Sequence, residues 1–479
     1  MNTKKYLFLG MLTLSCSIPA VAQDENAAAI EQATQIIKEN GPDAAKQVQA
    51  IYKKNKKKGD VIAGIGRAYY EAKDTTNARI YAEYGIKLND PSCYMLMGDI
   101  LVLGDQGGAA ASMYDQAISF ARQKSSQPDP TPYYKYATIY RKVALNSAIS
   151  KLDDLANDRP DLASSGYVNV LKGRIYDLAN KVEEAAKTYN QVPLTAMEER
   201  DVVSAARANY LLGDYEQSQK IIDFGLQQSP RKFTFNQLGM FNYTMMKDYD
   251  KALVYADRML NQSDSVKMNP EIYGVYAKAL NGAKKYQEAI DVYKKTLELE
   301  FDSQDKKAGV IKDLADAYKG IDDYDNALVY YDLFLKTVSH ASLNDYADLG
   351  RLYVQYADKL EGDAKLEKLK KADQIYADLA AKNDDAKEYS LFWRGRVNTM
   401  MDPESKEALA KPFYEELATI INAKAEKDKA DNARLIESCR YMINYYVNVE
   451  TDHEKAKEYA QMLLNVDPEN EIGKMVMEL

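Results

Sequence analysis

Apolar residues recur along this chain at helical spacing, and no run alternates at period two for long. Residues 308–336 show the unit. Val310, Leu314, Ala317 and Tyr318 mark one apolar stripe, Gly320 to Asp323 a turn, and Tyr324, Ala327, Leu328, Tyr331 and Phe334 a second stripe. The spacing predicts two antiparallel helices joined by a tight connection. The phrase at that turn returns as GDYEQS (213–218), KDYDKA (247–252), KKYQEA (284–289) and DDYDNA (322–327). Its closing small residues, Ser218, Ala252, Ala289 and Ala327, lie 34, 37 and 38 residues apart. A period in this range predicts a repeat array.

The closing residue extends upstream to Ala78, Ala110, Ala148 and Ala185, and downstream to Ala372, Ala410 and Ala456, which makes eleven units. Four residues on, six units carry Tyr114, Tyr189, Tyr293, Tyr331, Tyr376 and Tyr414. About twelve residues earlier stands a second small residue: Gly66, Gly98, Ala137, Gly173, Ala206, Ala277 or Ala315. Paired small residues let two helices approach closely, and the tyrosines then fill the space between pairs. The expected fold is all-α, an α-solenoid of about eleven antiparallel helix pairs with an elongated, curved shape.

These residues resemble the tetratricopeptide repeat. Its pattern has a small residue at the eighth position, Tyr at the eleventh, small at the twentieth, aromatic at the twenty-fourth and Pro at the thirty-second. Gly173, Tyr176, Ala185 and Tyr189 match in one unit, and Ala315, Tyr318, Ala327 and Tyr331 in another. Tyr114 and Ala117 follow Ala110, and Pro230 and Pro468 sit at the closing Pro position. The resemblance covers most of 59–470. It implies a TPR-like superhelix and a scaffold for protein–protein contact, and it names no client.

Residues 23–58 read as a degenerate N-terminal helix pair, 59–304 as a TPR-like array, and 305–479 as a looser one. The interval from Ala327 to Ala372 is 45, with the charged insert 362–371 before the second helix, and from Ala410 to Ala456 it is 46, with 424–432 lengthening the gap. Pro412 belongs in the first turn of a helix starting near Lys411. Bends are expected at 125–132 or 261–270, where proline and polar residues cluster.

Residues 1–22 read as a secretory signal peptide of bacterial type. Lys4 and Lys5 precede the apolar run Tyr6 to Ile18, and Ala20-Val21-Ala22 is a small-x-small cleavage site. Cys16 offers lipid anchoring as an alternative. An exported, periplasmic protein is expected, with no transmembrane segment after cleavage. The full chain carries −9; the leader holds two lysines and no acid, so the mature chain carries −11. That balance argues against nucleic acid as a partner. The one basic run, 53–58, reads as a solvated helix end. Cys93 and Cys439 are expected to be free, buried thiols in different repeats.

No catalytic constellation stands out. His340 and His453 lie in loop-like stretches without a second ligand at metal spacing, and the glycines at 64–66 and 104–108 lack the context of a phosphate loop. No cofactor is expected. The reading is a non-catalytic scaffold that binds a protein or peptide segment in its concave groove. The alternatives are a glycan-handling or outer-membrane uptake accessory protein and an enzyme with a site between repeats. Sugar sites favour Trp platforms, and the chain has one Trp, Trp393.

In the family, the residue after the small eighth position points into the groove. Here those residues are Arg67, Asp99, Thr138, Arg174, Arg207, Phe241, Lys278, Asp316, Arg351 and Arg396. Six are basic, so Arg67, Arg174, Arg207, Lys278, Arg351 and Arg396 form the candidate site, suited to an acidic segment or a C-terminal carboxylate. The alternative is that these cations pair with acids on neighbouring repeats. As a ligand ladder, the site predicts that reversing Arg174 and Arg207 weakens capture and barely moves the melting temperature.

Overall fold

The turn phrase has a simple conformational logic in the computed structural model, which describes residues 20–479. In five of these turns the chain enters the left-handed region just past the first helix, at Lys73 (φ 66°), Gly213 (86°), Lys247 (61°), Lys284 (61°) and Asp322 (58°). In four of these turns an Asp follows and caps the second helix. Asp74, Asp214, Asp248 and Asp323 accept from the backbone N–H three residues on, at 3.0, 3.0, 3.3 and 3.1 Å. A side-chain acceptor there satisfies one of the unpaired N–H groups of the new helix.

The repeat's tyrosine follows the cap and packs on the next pair. A Cβ on Gly282 would stand 2.4 Å from the Tyr249 ring, and one on Gly320 2.5 Å from the Tyr286 ring. Tyr324 stacks on Tyr356 with ring centroids 5.2 Å apart. Each turn therefore also fixes the neighbouring repeat.

The degenerate pair is Ala20–Glu39 with Ala44–Lys54. Eleven pairs follow among the described residues. The first five are Gly59–Glu71 with Thr75–Ile86, Pro91–Leu103 with Gly107–Lys124, Thr131–Tyr140 with Leu145–Asp158, Tyr167–Leu178 with Val182–Tyr189, and Glu199–Leu212 with Tyr215–Gln228. The others are Phe233–Met245 with Tyr249–Asp257, Pro270–Gly282 with Tyr286–Leu297, Gln304–Gly320 with Tyr324–Thr337, Leu343–Ala357 with Gly362–Lys382, Lys387–Met401 with Lys411–Asn422, and Lys429–Asn448 with His453–Val466. Glu471–Met477 closes the chain. No strand occurs among the described residues. Two compact units emerge, one up to Asn242 and one from Tyr243.

The eleven closing residues, Ala78 to Ala456, are all at most 1% exposed, and the six tyrosines after them at most 4%. The glycines show what that register does. A Cβ on Gly98, Gly173, Gly350 or Gly395 would come within 2.4, 2.6, 2.6 and 2.7 Å of Tyr114, Tyr189, Tyr376 and Tyr414. The missing side chain is the seat of the ring. These are tetratricopeptide-like helix pairs, and the fold is an all-α solenoid. Ala289 is fully buried among Ala277, Leu280 and Tyr293. Ala289→Leu should overpack that crossing and cost about 1–3 kcal/mol, read as a lowered urea midpoint with an unchanged helical signal before unfolding.

Local details differ from the sequence reading. The charged insert 362–371 is not a loop; it forms the first half of the 21-residue helix Gly362–Lys382. Its Lys and Leu content favours helix, and Leu369 gives it a buried anchor. The stretch 424–432 splits between a short turn and the first turn of Lys429–Asn448. His453 opens a helix behind its cap Asp452 and does not lie in a loop. Pro412 does fall in the first turn of Lys411–Asn422, and Tyr414 still reaches Gly395.

Cys93 and Cys439 are free and buried. Burial pushes the Cys439 thiol up to about 12, so it is an inert thiol. Lys53 and Lys54 lie in the last turn of their helix. Cys16 and residues 1–19 of the expected leader lie outside the described residues. No helix among the described residues is long and apolar enough to cross a membrane.

Candidate functional site

First helices of neighbouring pairs pack on one another within each unit. Gly59–Glu71 meets Pro91–Leu103 and Tyr167–Leu178 meets Glu199–Leu212 in the first unit; Pro270–Gly282 meets Gln304–Gly320 and Lys387–Met401 meets Lys429–Asn448 in the second. Second helices pack mainly on first helices. Neighbouring first helices thus form a wall in each unit, and the candidate residues stand on first helices.

The wall is laced by ion pairs between repeats. Arg67 Nη1 donates to Asp99 at 2.7 Å, Lys135 Nζ donates to the same carboxylate at 2.5 and 2.7 Å, and the Tyr114 hydroxyl donates at 2.7 Å. Burial works to raise the Asp99 carboxyl, but Lys135 and Arg67 outweigh it and hold it below the usual carboxylate range. Arg174 forks onto Asp201 at 2.6 and 2.7 Å, with Glu198 at 3.4 Å. Arg207 donates to both oxygens of Asp177 at 2.8 and 2.6 Å. Arg396 forks onto Glu437 at 2.6 and 2.5 Å with its guanidinium over the Phe392 ring. Arg351 reaches the Tyr389 hydroxyl at 2.6 Å and pairs with Asp348. Lys312 joins the eighth pair to the ninth through Asp345 at 2.7 Å and Asp348 at 3.2 Å.

The structure therefore places five of the six predicted cations in ion pairs with the protein's own carboxylates. Lys278, exposed on the wall, is the one without an ion pair among the described residues. Of the other residues in that register, Phe241 is buried beside Tyr210, and the Thr138 hydroxyl donates to its own helix at the Tyr134 carbonyl. The predicted cations do not converge on one point; they are rungs spread over both units.

Sequence reasoning placed Asp99 in the groove register without its pairing to Arg67, and it missed the acceptors Asp177, Asp201, Asp348 and Glu437, and Lys135 and Lys312 as the wall's other cations. The available signal was an acid 27 to 41 residues from Arg67, Arg174, Arg207 and Arg396, the extremes being Arg174 with Asp201 and Arg396 with Glu437. Trp393 does not stand free as a platform. Tyr376 stacks on it at 5.7 Å and the Arg396 guanidinium sits 5.4 Å from its ring centroid. No group of three or more His, Cys, Asp or Glu placed to hold a metal ion occurs among the described residues.

No protein-family model matches the chain, and no curated protein matches it. Solved structures do align with it. The C-terminal part of a TPR repeat-containing protein from Cytophaga hutchinsonii is 18% identical, with a TM-score of 0.47 over 58% of this chain and 100% of that one. A tetratricopeptide repeat protein from Parabacteroides merdae is 14% identical, with a TM-score of 0.35 over 54% of this chain and 98% of that one. The assignment of the helix pairs rests on the chain's own glycine–tyrosine seats and capped turns.

Proposed function

We propose that this protein is a non-catalytic repeat scaffold that holds a protein or peptide segment against the wall of its first helices, in the bacterial periplasm or at the cell surface. The observation that carries this reading is the ion-pair lacing between repeats. It fixes half-exposed charged and aromatic side chains in register before any partner arrives, and preorganisation of that kind lowers the cost of binding an extended chain. Export rests on the leader at residues 1–22.

An acidic segment or a C-terminal carboxylate would not meet an open cationic ladder. It would have to displace Asp99, Asp201, Asp177, Asp348 or Glu437 from cations they already satisfy, or use Lys278. The client is therefore read by groups the lacing leaves free.

The test is selection of a displayed random-peptide library on the protein, followed by photo-crosslinking. A benzophenone side chain is placed at Lys278 on the wall or at Val329, which is 61% exposed on a second helix. Selected peptides should form adducts from position 278 and not from 329, and a glycan array should stay blank. Glycan binding without peptide enrichment would favour the glycan-handling alternative and overturn the scaffold reading.

A further inference from the structure

The second helix of the degenerate pair ends in charge of one sign. Between Asp43 and Asp60 the sequence holds six lysines, Lys46, Lys53, Lys54, Lys56, Lys57 and Lys58, and no acid, in a chain of net charge −9. All but Lys58 are exposed, and none of the six has an ion pair among the described residues. Capping does not need them. The Asn55 backbone N–H donates to the Ile51 and Tyr52 carbonyls at 3.2 and 2.9 Å, and its side chain donates to Ile51 at 2.9 Å. Main-chain and amide donors thus close the last turn, and the exposed ammonium groups are left to solvent.

Contacts on both flanks fix where the run stands. Lys58 Nζ donates to the Asn26 side chain at 2.7 Å, and Asn26 donates to Asp60 at 2.7 Å, so the acid that follows the run is already held. The antiparallel return therefore brings the lysines beside the early part of Ala20–Glu39. The chain outside the described residues ends there, and it contains the apolar run Tyr6 to Ile18. On the other flank, half-buried Tyr52 stacks on Tyr84 with ring centroids 4.8 Å apart, and Lys87 Nζ lies 5.9 Å from the Tyr84 centroid. Lys87 is exposed and has no ion pair, so it extends the patch past the end of Thr75–Ile86. Glu83, one turn earlier, is exposed as well and pairs with no lysine of the patch.

We infer that this patch is a docking face for the phosphates of an anionic phospholipid surface. It holds the N-terminal end of the solenoid against that surface. Its charge is opposite to that of the lipid and to that of the rest of the chain, so attraction is confined to one end. Ammonium groups on flexible stems, with no recess around them, suit a plane of many mobile phosphates better than one shaped ligand. A carboxylate-bearing segment is better read by the forked guanidinium of arginine, and the run has none. The place in the chain agrees. An apolar segment and a polybasic patch close to it are two signals that together hold a protein on a membrane where either alone is weak. The run ends a second helix and does not stand on the wall, so the inference is independent of client binding.

The experiment floats the full chain with vesicles of phosphatidylcholine alone and with vesicles holding about one-third phosphatidylglycerol. The apolar run Tyr6 to Ile18 meets both lipids alike, so the ratio of the two partition coefficients reads the lysines. That ratio should be at least about tenfold at roughly 0.1 M salt and should collapse at about 0.5 M, as screening shortens the reach of each charge. The combined variant Lys53→Gln, Lys54→Gln, Lys56→Gln and Lys57→Gln should bring the ratio near one, and arginine at the same four positions should keep it. The same loss of charge at Lys142, Lys181, Lys220 and Lys267, exposed on other repeats, should lower it by less than about threefold. Equal loss in the two Gln variants overturns the inference, because net charge alone is then being read. A wild-type ratio near one, or one that ignores salt, also overturns it. Lysine-dependent self-association at low salt without a lipid preference overturns it in favour of a second acidic copy. Tighter capture of a duplex oligonucleotide than of the anionic vesicles overturns it in favour of nucleic acid.

Discussion

Arg174→Glu is expected to destabilise the first unit by about 3–5 kcal/mol, because it breaks a buried ion pair and sets two carboxylates face to face. The Arg174 side chain is 12% exposed and that of Asp201 is 2% exposed, so water rescues neither charge. Arg207→Glu makes the same formal change one repeat on and should cost under about 1 kcal/mol, since Arg207 is half exposed and Asp177 is 24% exposed. Urea unfolding followed by helical signal separates the two. A midpoint for Arg174→Glu equal to that of Arg207→Glu would show that Asp201 is not held as a buried charge. The comparison also bears on function, because lost client capture by Arg174→Glu would report unfolding before it reported recognition. Arg207→Glu is the variant that tests the wall's charge without that confusion.

The contrast between these two arginines marks where the sequence stops speaking. Both follow a small residue in the same register, and both read as equal rungs whose reversal leaves the melting temperature alone. The register was legible because it is periodic: Ala185, Ser218 and Ala252 recur, and a crossing of helices has room for nothing larger. The seats of the tyrosines were legible for the same reason. The pairing of Arg174 with Asp201 was not, because an acid one repeat away is common in a chain with 72 of them. Only the rotation of each helix decides which acid faces which cation. The charged run 362–371 misled in the opposite direction. Its charge suggested an insert, whereas Leu366 and Leu369 continue the apolar stripe of the helix that Ala372 belongs to. The contacts of Tyr249 with Gly282 and of Tyr286 with Gly320 were also hidden, since each glycine reads as an ordinary helix end.

Tyr189→Ala should cost about 3–5 kcal/mol, the range for emptying a large aromatic site in a core that cannot collapse. The ring is 1% exposed and lies over Gly173, where no side chain exists to fill the vacancy. Tyr189→Phe should cost almost nothing, because the Tyr189 hydroxyl is buried without a partner and its loss removes no hydrogen bond. Tyr114 occupies the same register but donates to Asp99 at 2.7 Å, so Tyr114→Phe should cost about 1–3 kcal/mol. Thermal unfolding of the three variants against wild type orders them as Tyr189→Ala below Tyr114→Phe below Tyr189→Phe. A Tyr189→Phe loss as large as that of Tyr114→Phe would mean that the Tyr189 hydroxyl is held after all. The distinction between the held hydroxyl of Tyr114 and the unheld ones of Tyr189, Tyr293 and Tyr376 at one repeat position would then fail.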